Sequence, residues 1–218
     1  MKAGAHIFCQ YHSSKEAAES LKNEIEATDG KIEIFQADLT LNDSVKKITK
    51  AAQDAFGTID ILVNNSAVFY PTPLGQVTEK DWETFITLNL KAAFFLSQEV
   101  GILMQKKGNG RIINIGDTSV ESPWKSFLPY TLSKSGVITM TKGLAKALAP
   151  QVLVNCINPG PVLFPEHYTE EQKAKSVERT LLKRAGTAED IAKTALFLAE
   201  TDYITGSIIP VDGGRHIG

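Results

Sequence analysis

The 218-residue chain carries 23 Lys+Arg against 25 Asp+Glu, a formal net charge of −2, and this balance excludes the basic footprint of a nucleic-acid-binding protein. Hydrophobic residues make up 43%, with Gly 16 and Pro 9, which is globular usage with material for a sizeable core and excludes disorder. The most apolar stretch, residues 88–104, is broken by Lys91 and Glu99, so no membrane span is expected, and residues 1–4 run straight into a short apolar segment with no cleavage-type sequel, so no signal peptide is expected.

In chain order, short β-branched runs alternate with longer helical periods, the pattern of strand-helix units around a largely parallel sheet. Six strands are expected, near residues 5–10, 31–36, 59–63, 111–115, 152–157 and 207–211. Ser14 is placed to cap a first helix reaching about Thr28, with Ala17, Leu21 and Ile25 on one face and Gly30 after its end. Asn42 is placed to cap the second, where Val45, Ile48, Ala52 and Phe56 follow a 3.6 period and Gly57 supplies the stop. Two long helices, residues 79–107 and 129–149, are apolar on most sides and are expected to bury one face on the sheet and another against a partner subunit. Residues 159–165 read as a Pro-rich loop, and Thr187 with Asp190 forms a capping-box variant opening a helix through Leu198. Cys9 and Cys156, far apart within apolar runs, read as reduced thiols of a cytoplasmic protein, and the four histidines show no metal-ligand spacing. One domain over residues 1–218 is expected.

A parallel sheet binds ligands outside the carboxyl ends of its strands. Those ends hold Asn64, Asn65 and Ser66 after the third strand, Gly116, Asp117 and Thr118 after the fourth, and Asn158, Pro159 and Gly160 after the fifth. Tyr130 and Lys134 stand four apart in an expected helix, hence on one face. An ammonium beside a phenol favours phenolate, lowering a pKa that starts near 10 and suiting the pair to acid-base work near neutral pH. Singly, each feature has a plainer reading as a turn, a cap or a solvated helix face.

Their joint order, with Asn89 and the closing Asp212, Gly213 and Gly214, resembles the short-chain dehydrogenase/reductase family over essentially the whole chain. The resemblance implies a Rossmann-like doubly wound α/β fold, a nicotinamide cofactor and a homo-oligomer, tetramer or dimer. Most of that family carries a serine thirteen residues before the tyrosine, whereas that position here is Asp117, as in the pteridine reductases. The run LVNNSAVFYPTPL, residues 62–74, resembles their pterin-site segment, in which an aromatic residue stacks on the pterin, and Phe69 falls at that place. Residues 163–167, Leu-Phe-Pro-Glu-His, and the closing Asp-Gly-Gly-Arg-His are similar to bacterial dihydromonapterin reductases.

The resemblance implies NADPH-dependent reduction of a dihydropterin such as dihydromonapterin or dihydrobiopterin, with dihydrofolate as a further substrate. Tyr130 would be proton donor, and Lys134 would lower its pKa and hold the nicotinamide ribose. Asp117 would orient Tyr130 or relay the proton, and Asn89 would hold a water in the proton path. Phe69, Asp117 and Tyr130 would contact the pterin. On the cofactor side, no acid stands where one would repel the phosphate of NADP. His12, Ser13 and Ser14, between Tyr11 and Lys15, instead offer hydroxyls, a helix N-terminus and a cation. Asp38 and Leu39 match an adenine-contacting pair and Asn64 an adenosine-side asparagine, with Ser66, Pro159, Gly160 and Val162 on the same rim. Plainer readings stand beside these: Asp117 capping Ser119 or Val120, Phe69 as a buried loop aromatic, Ser13 and Ser14 as helix caps. Two other functions stay open, a carbonyl reductase of the same family with another ketone substrate, and a non-catalytic binding or oligomerisation protein.

The family's opening strand, glycine-rich T-G-x-x-x-G-x-G turn and first helix, on the order of 30 residues, have no counterpart in these residues, and residues 1–6 look like the end of that helix entering the next strand. The absent strand is central in the family's order, so its two neighbours would lie about 9.6 Å apart if nothing moved. The expectation is either an internal start within a longer, ordinary reductase, or a chain whose sheet halves close on each other or borrow a strand. The internal start is the favoured reading, and it implies a complete enzyme at its source but poor NADP binding by these 218 residues made alone.

Overall fold

The computed structural model describes residues 4–165 and 168–218. The readings placed on Met1, Lys2, Ala3, Glu166 and His167 lie outside the described residues.

Six strands form at β1 (Ile7–Tyr11), β2 (Ile32–Gln36), β3 (Ile61–Asn64), β4 (Gly110–Ile115), β5 (Val152–Pro159) and β6 (Ile208–Val211). The helices are α1 (Lys15–Glu26), α2 (Ser44–Phe56), α3 (Glu79–Phe85), α4 (Ala92–Lys107), α5 (Leu128–Leu148), α6 (Glu170–Glu178) and α7 (Ala188–Glu200). Every pairing is parallel, as the alternation of strands and helices requires. In β4, Ile112 and Ile113 are adjacent and both fully buried, which happens only when both faces of a sheet are covered. Ile112 packs with Val100, Val137 and Leu144 of α4 and α5, and Ile113 packs with Leu198 of α7. Among the described residues no helix is long and apolar enough to cross a membrane.

The strands fall into two sheets, β1-β2 and β3-β4-β5-β6. The expected closure of the halves on each other does not occur, because each half is anchored to the helical layer beneath it. Phe8 and Phe35 from one sheet and Leu62 from the other pack into one cluster with Leu39, Ile48, Ala92 and Leu96, so α2 and α4 tie the halves without pairing their edges.

Several helix boundaries depart from expectation. The N-cap of α2 is Asp43, not Asn42, and makes no side-chain cap bond. The long helix expected over 79–107 is interrupted by a π-helical turn, Ile86–Lys91, that carries Asn89, a local widening of the kind that re-aims a side chain. Helix α6 was not expected, since it buries none of its residues and so has no apolar stripe. Its reciprocal capping box between Thr169 and Gln172 was nevertheless written in the sequence. The box between Thr187 and Asp190 forms as expected.

Candidate active site

Asp117 closes β4 in extended conformation, and its two carboxylate oxygens have separate tasks. Oδ1 accepts the Ser119 N–H at 2.6 Å, the capping bond of the plainer reading, while Oδ2 accepts the Tyr130 hydroxyl at 2.7 Å. The thirteen-residue spacing thus becomes a direct contact between the end of a strand and the first turn of α5. One turn later, Lys134 is buried, donates to the Ile115 carbonyl at 2.8 Å and lies 6.0 Å from the centre of the Tyr130 ring. Only one of its three ammonium protons is spent on that bond.

The electrostatics overturn one expectation. The Tyr130 phenol is pushed well above its ordinary range, first by burial and then by the Asp117 charge and hydrogen bond. Lys134 is itself pushed down by burial, which the Asp117 charge partly opposes. Lys134 therefore does not bring the phenol toward neutrality. Burial first and the contacting carboxylate second favour the protonated phenol.

Phe69 reaches the same phenol from the loop after β3, with ring centroids 4.8 Å apart and edge-on. Two aromatics the sequence reading missed complete the wall: Phe127 stacks on Phe69 at 4.7 Å and 9°, and Trp124 meets Phe127 edge-on at 5.5 Å. The Arg215 guanidinium lies 5.3 Å from the Trp124 ring. The available signal was two aromatics in a short polar loop between Asp117 and Tyr130. Asn89 stands behind this wall. Its Oδ1 accepts the Val68 N–H at 2.8 Å, and its Nδ2 donates to the Val68 carbonyl and to Ser133 Oγ, both at 3.1 Å. The side chain thus fixes the residue preceding Phe69.

At the rim, Asn64 Nδ2 donates to Ser97 Oγ and Asn114 Oδ1, both at 2.8 Å, and Asn114 continues to Thr141 Oγ1 at 2.9 Å. This buried polar chain under the strand ends was not anticipated, because Asn114 sits mid-strand where an apolar residue is the rule. Pro159 accepts from Thr118 Oγ1 at 3.1 Å. Gly160 donates its N–H to the Val211 carbonyl at 3.0 Å; a Cβ there would stand 2.6 Å from Asp212 Cα, so the close approach needs glycine. Val162 lies beside Gly186.

The remaining candidates sit on the other sheet. Ser14 heads α1 without a side-chain cap bond, contrary to the capping reading. His12 lies 3.8 Å from Asp38, and bonds from the Thr40 hydroxyl and N–H hold the Asp38 carboxyl below its usual range. Leu39 points into the cluster shared by the two sheets. Ser66 Oγ donates to Gln10 Oε1 at 3.4 Å across the divide. The structure therefore brings Asp117, Tyr130, Lys134 and Phe69 together, and sets His12, Ser13, Ser14 and Asp38 apart from them.

The sequence pattern of a family described as enoyl-(acyl carrier protein) reductase matches residues 1–216. A 3-oxoacyl-[acyl-carrier-protein] reductase, FabG, of Thermotoga maritima is 36% identical over 209 residues, covering 94% of this chain and 85% of that protein. A Picea abies protein described as a short-chain type dehydrogenase/reductase is 33% identical over 227 residues, covering 97% and 83%. Among solved structures, FolM alternative dihydrofolate reductase 1 of Brucella canis, complexed with NADP, superposes with a TM-score of 0.93 at 31% identity, covering 100% of this chain and 86% of that one.

Proposed function

This chain belongs to the short-chain dehydrogenase/reductase family and is an NAD(P)H-dependent oxidoreductase; from that premise we propose that it reduces a dihydropterin with NADPH. The observation that carries the reading is the convergence of a carboxylate and an aromatic ring on one phenol. Asp117 accepts the Tyr130 hydroxyl at 2.7 Å, and Phe69 lies 4.8 Å from the same ring. A flat heteroaromatic needs an apolar face and polar groups at its edge, and reducing its C=N bond needs a proton delivered to nitrogen. The superposition on a dihydrofolate reductase of the same family supports the same reading.

The donor set fits the dinucleotide. Lys134 keeps two ammonium protons for ribose hydroxyls, beside the strand end that carries Asp117. The Ser14 hydroxyl, uncommitted to capping, stands with Ser13 and His12 at the N-terminus of α1, where an anion is favoured. Asp38, Asn64 and Ser66, with Pro159, Gly160 and Val162, complete the proposed cofactor rim. Bound NADPH supplies the hydride.

In the proposed mechanism, Tyr130 donates its hydroxyl proton to the ring nitrogen adjacent to the reduced carbon. The Asp117 carboxylate, which accepts that hydroxyl's hydrogen bond, orients the donor, and a proton from solvent returns to the phenolate to close the cycle. The raised phenol pKa serves this cycle, because it keeps the donor protonated between turnovers. Asn89, through Val68, positions Phe69. The reading extends to a cytoplasmic homo-oligomer. Phe94, Phe95 and Ile102, exposed on α4, and Leu132, exposed on α5, supply its contact faces, and Cys9 and Cys156 are both free thiols.

The test is NADPH consumption by the purified chain with 7,8-dihydrobiopterin and with an acetoacetyl thioester. Dihydropterin turnover that falls at least about 100-fold in Phe69→Ala is expected. Turnover of the thioester alone would replace this reading with the second one, 3-oxoacyl reduction, which the FabG relative favours.

A further inference from the structure

The aromatic wall of the site ends on a cation. From Phe69, which meets Tyr130, the Trp124 ring lies 6.1 Å away and edge-on, and the Arg215 guanidinium lies 5.3 Å from the Trp124 ring. The turn that carries Arg215 holds it there. Asp212, buried just after β6, accepts the Gly214 N–H at 2.9 Å with Oδ1 and the His216 N–H at 2.8 Å with Oδ2, so its carboxylate brackets Arg215 on both sides. Arg215 is half-buried and donates from Nη1 to the Ser176 carbonyl of α6 at 2.7 Å. A guanidinium has five N–H donors, and among the described residues neither Arg215 nor Arg179, at the C-terminal end of α6, is in an ion pair. The charge is left short of compensation. Burial and then the like charge of Arg179 oppose it, while Asp117, the carboxylate at the reacting end of the wall, is among the groups that favour it.

We propose that Arg215 is a specificity-determining residue that pairs with a carboxylate at the far end of the substrate's side chain, so that among dihydropterins the site selects those with an aromatic, anionic side chain over those with a short neutral one. This rests on the dihydropterin reading of the site. With the pterin against Phe69 and Tyr130, a side chain directed along the wall crosses Trp124 and ends at the guanidinium. An aryl linker matches the ring it crosses, and a carboxylate matches the planar fork of donors. Arg179 adds positive charge nearby. A neutral polyol offers these cations no counter-charge. The competing role for Arg215 is a clamp that fastens α6 to the closing turn through Ser176, and a clamp would affect all substrates alike.

The test compares 7,8-dihydrofolate, which carries a p-aminobenzoylglutamate side chain, with 7,8-dihydrobiopterin on the full chain, and follows calorimetric binding of p-aminobenzoylglutamate alone. The ratio of kcat/KM values is expected to favour dihydrofolate at least about tenfold, and Arg215→Gln should erase that preference through KM more than kcat. Arg215→Lys, which keeps the charge, should restore part of it. Added salt should raise the KM for dihydrofolate and not for dihydrobiopterin, a measurement on the unsubstituted chain that stands even if Arg215→Gln does not fold. The fragment should bind the unsubstituted chain and not Arg215→Gln. Equal losses on both substrates in Arg215→Gln, or a KM for dihydrofolate indifferent to salt, would make Arg215 a clamp and overturn the proposal while dihydropterin reduction stands. Absence of turnover with either pterin would overturn the dihydropterin reading instead. The fragment then decides the subsite by itself: no binding, or equal binding to the unsubstituted chain and Arg215→Gln, overturns it.

Discussion

The two sheets of this molecule solve the same packing problem to different depths. In β4 and β5, Ile112, Ile113, Val152, Val154, Cys156 and Ile157 are all buried, with helices on both faces. In β1 every residue is only partly buried, and the facing strand β3 exposes alternate side chains. The residues proposed to handle protons, Asp117, Tyr130 and Lys134, sit on the deep half. The residues proposed to hold the nucleotide's far end, His12, Ser13, Ser14 and Asp38, sit on the shallow one. Chemistry that depends on geometry within fractions of an ångström is thus mounted on the rigid part. The binding arm is joined to it through the α2 and α4 layer and one side-chain bond at the rim. Catalytic geometry should therefore survive perturbations of β1 and β2 that weaken cofactor affinity.

The largest expected effect is at the deep site. Asp117→Asn keeps a hydrogen-bonding group beside Tyr130 but removes the charge that orients the proton donor, so kcat should fall about 10²- to 10⁴-fold with the fold retained. The phenol should titrate at lower pH, because burial remains while the carboxylate's contribution is gone. Ultraviolet difference titration against Tyr130→Phe checks this. The sign for stability follows from the same shift. Above about 10, the ordinary phenol value, the unfolded chain releases this proton while the native state retains it, so native stability falls as pH rises. The fall should be shallower in Asp117→Asn. An unchanged phenol titration would remove Asp117 from control of the proton.

The next effect compares the covered middle of the four-stranded sheet with its exposed β3 edge. Ile112→Ala in β4 leaves a cavity in a fully buried layer and should cost about 2–5 kcal/mol. The same change at Ile61 in β3, 42% exposed, should cost less than about 1 kcal/mol. Urea unfolding with unchanged slopes measures both. Equal costs would mean that β3 is as deeply engaged as β4 and would dissolve the contrast.

How much was legible beforehand follows the same division. All six strands stood in the sequence because β-branched runs bounded by turn residues are local signals, and the Tyr130, Lys134 and Asp117 spacings are periodic facts about one helix and one strand end. The direction of the Tyr130 pKa was not legible. It depends first on how deeply the phenol is buried and then on which charge touches it, and only the approach of β4 to α5 decides both. Phe127 on Phe69 and Asn114 under Asn64 were hidden for the same reason, as contacts across 58 and 50 positions respectively. Helix α6 stands apart for the opposite reason: its signal is purely local, a capping box with no buried face behind it.

The smallest effect tests whether local capping matters in the deep half. Thr187 Oγ1 accepts the Asp190 N–H at 3.2 Å, and the Asp190 carboxylate accepts the Thr187 N–H at 2.9 Å. The Thr187 N–H and the Thr187 hydroxyl, both donating to Asp190 Oδ2, hold that carboxyl below its ordinary range. Thr187→Ala should cost about 1 kcal/mol, which in a chain of this size shifts the melting temperature by about 2–4 °C. Because α7 buries Leu198 against Ile113 and Ile157, that loss should appear in the four-stranded sheet's own transition. If the two sheets unfold separately, amide exchange in β1 and β2 should not respond to Thr187→Ala. A uniform response would show that the α2 and α4 layer couples the halves into one cooperative unit, and that the shallow half draws its stability from the deep one.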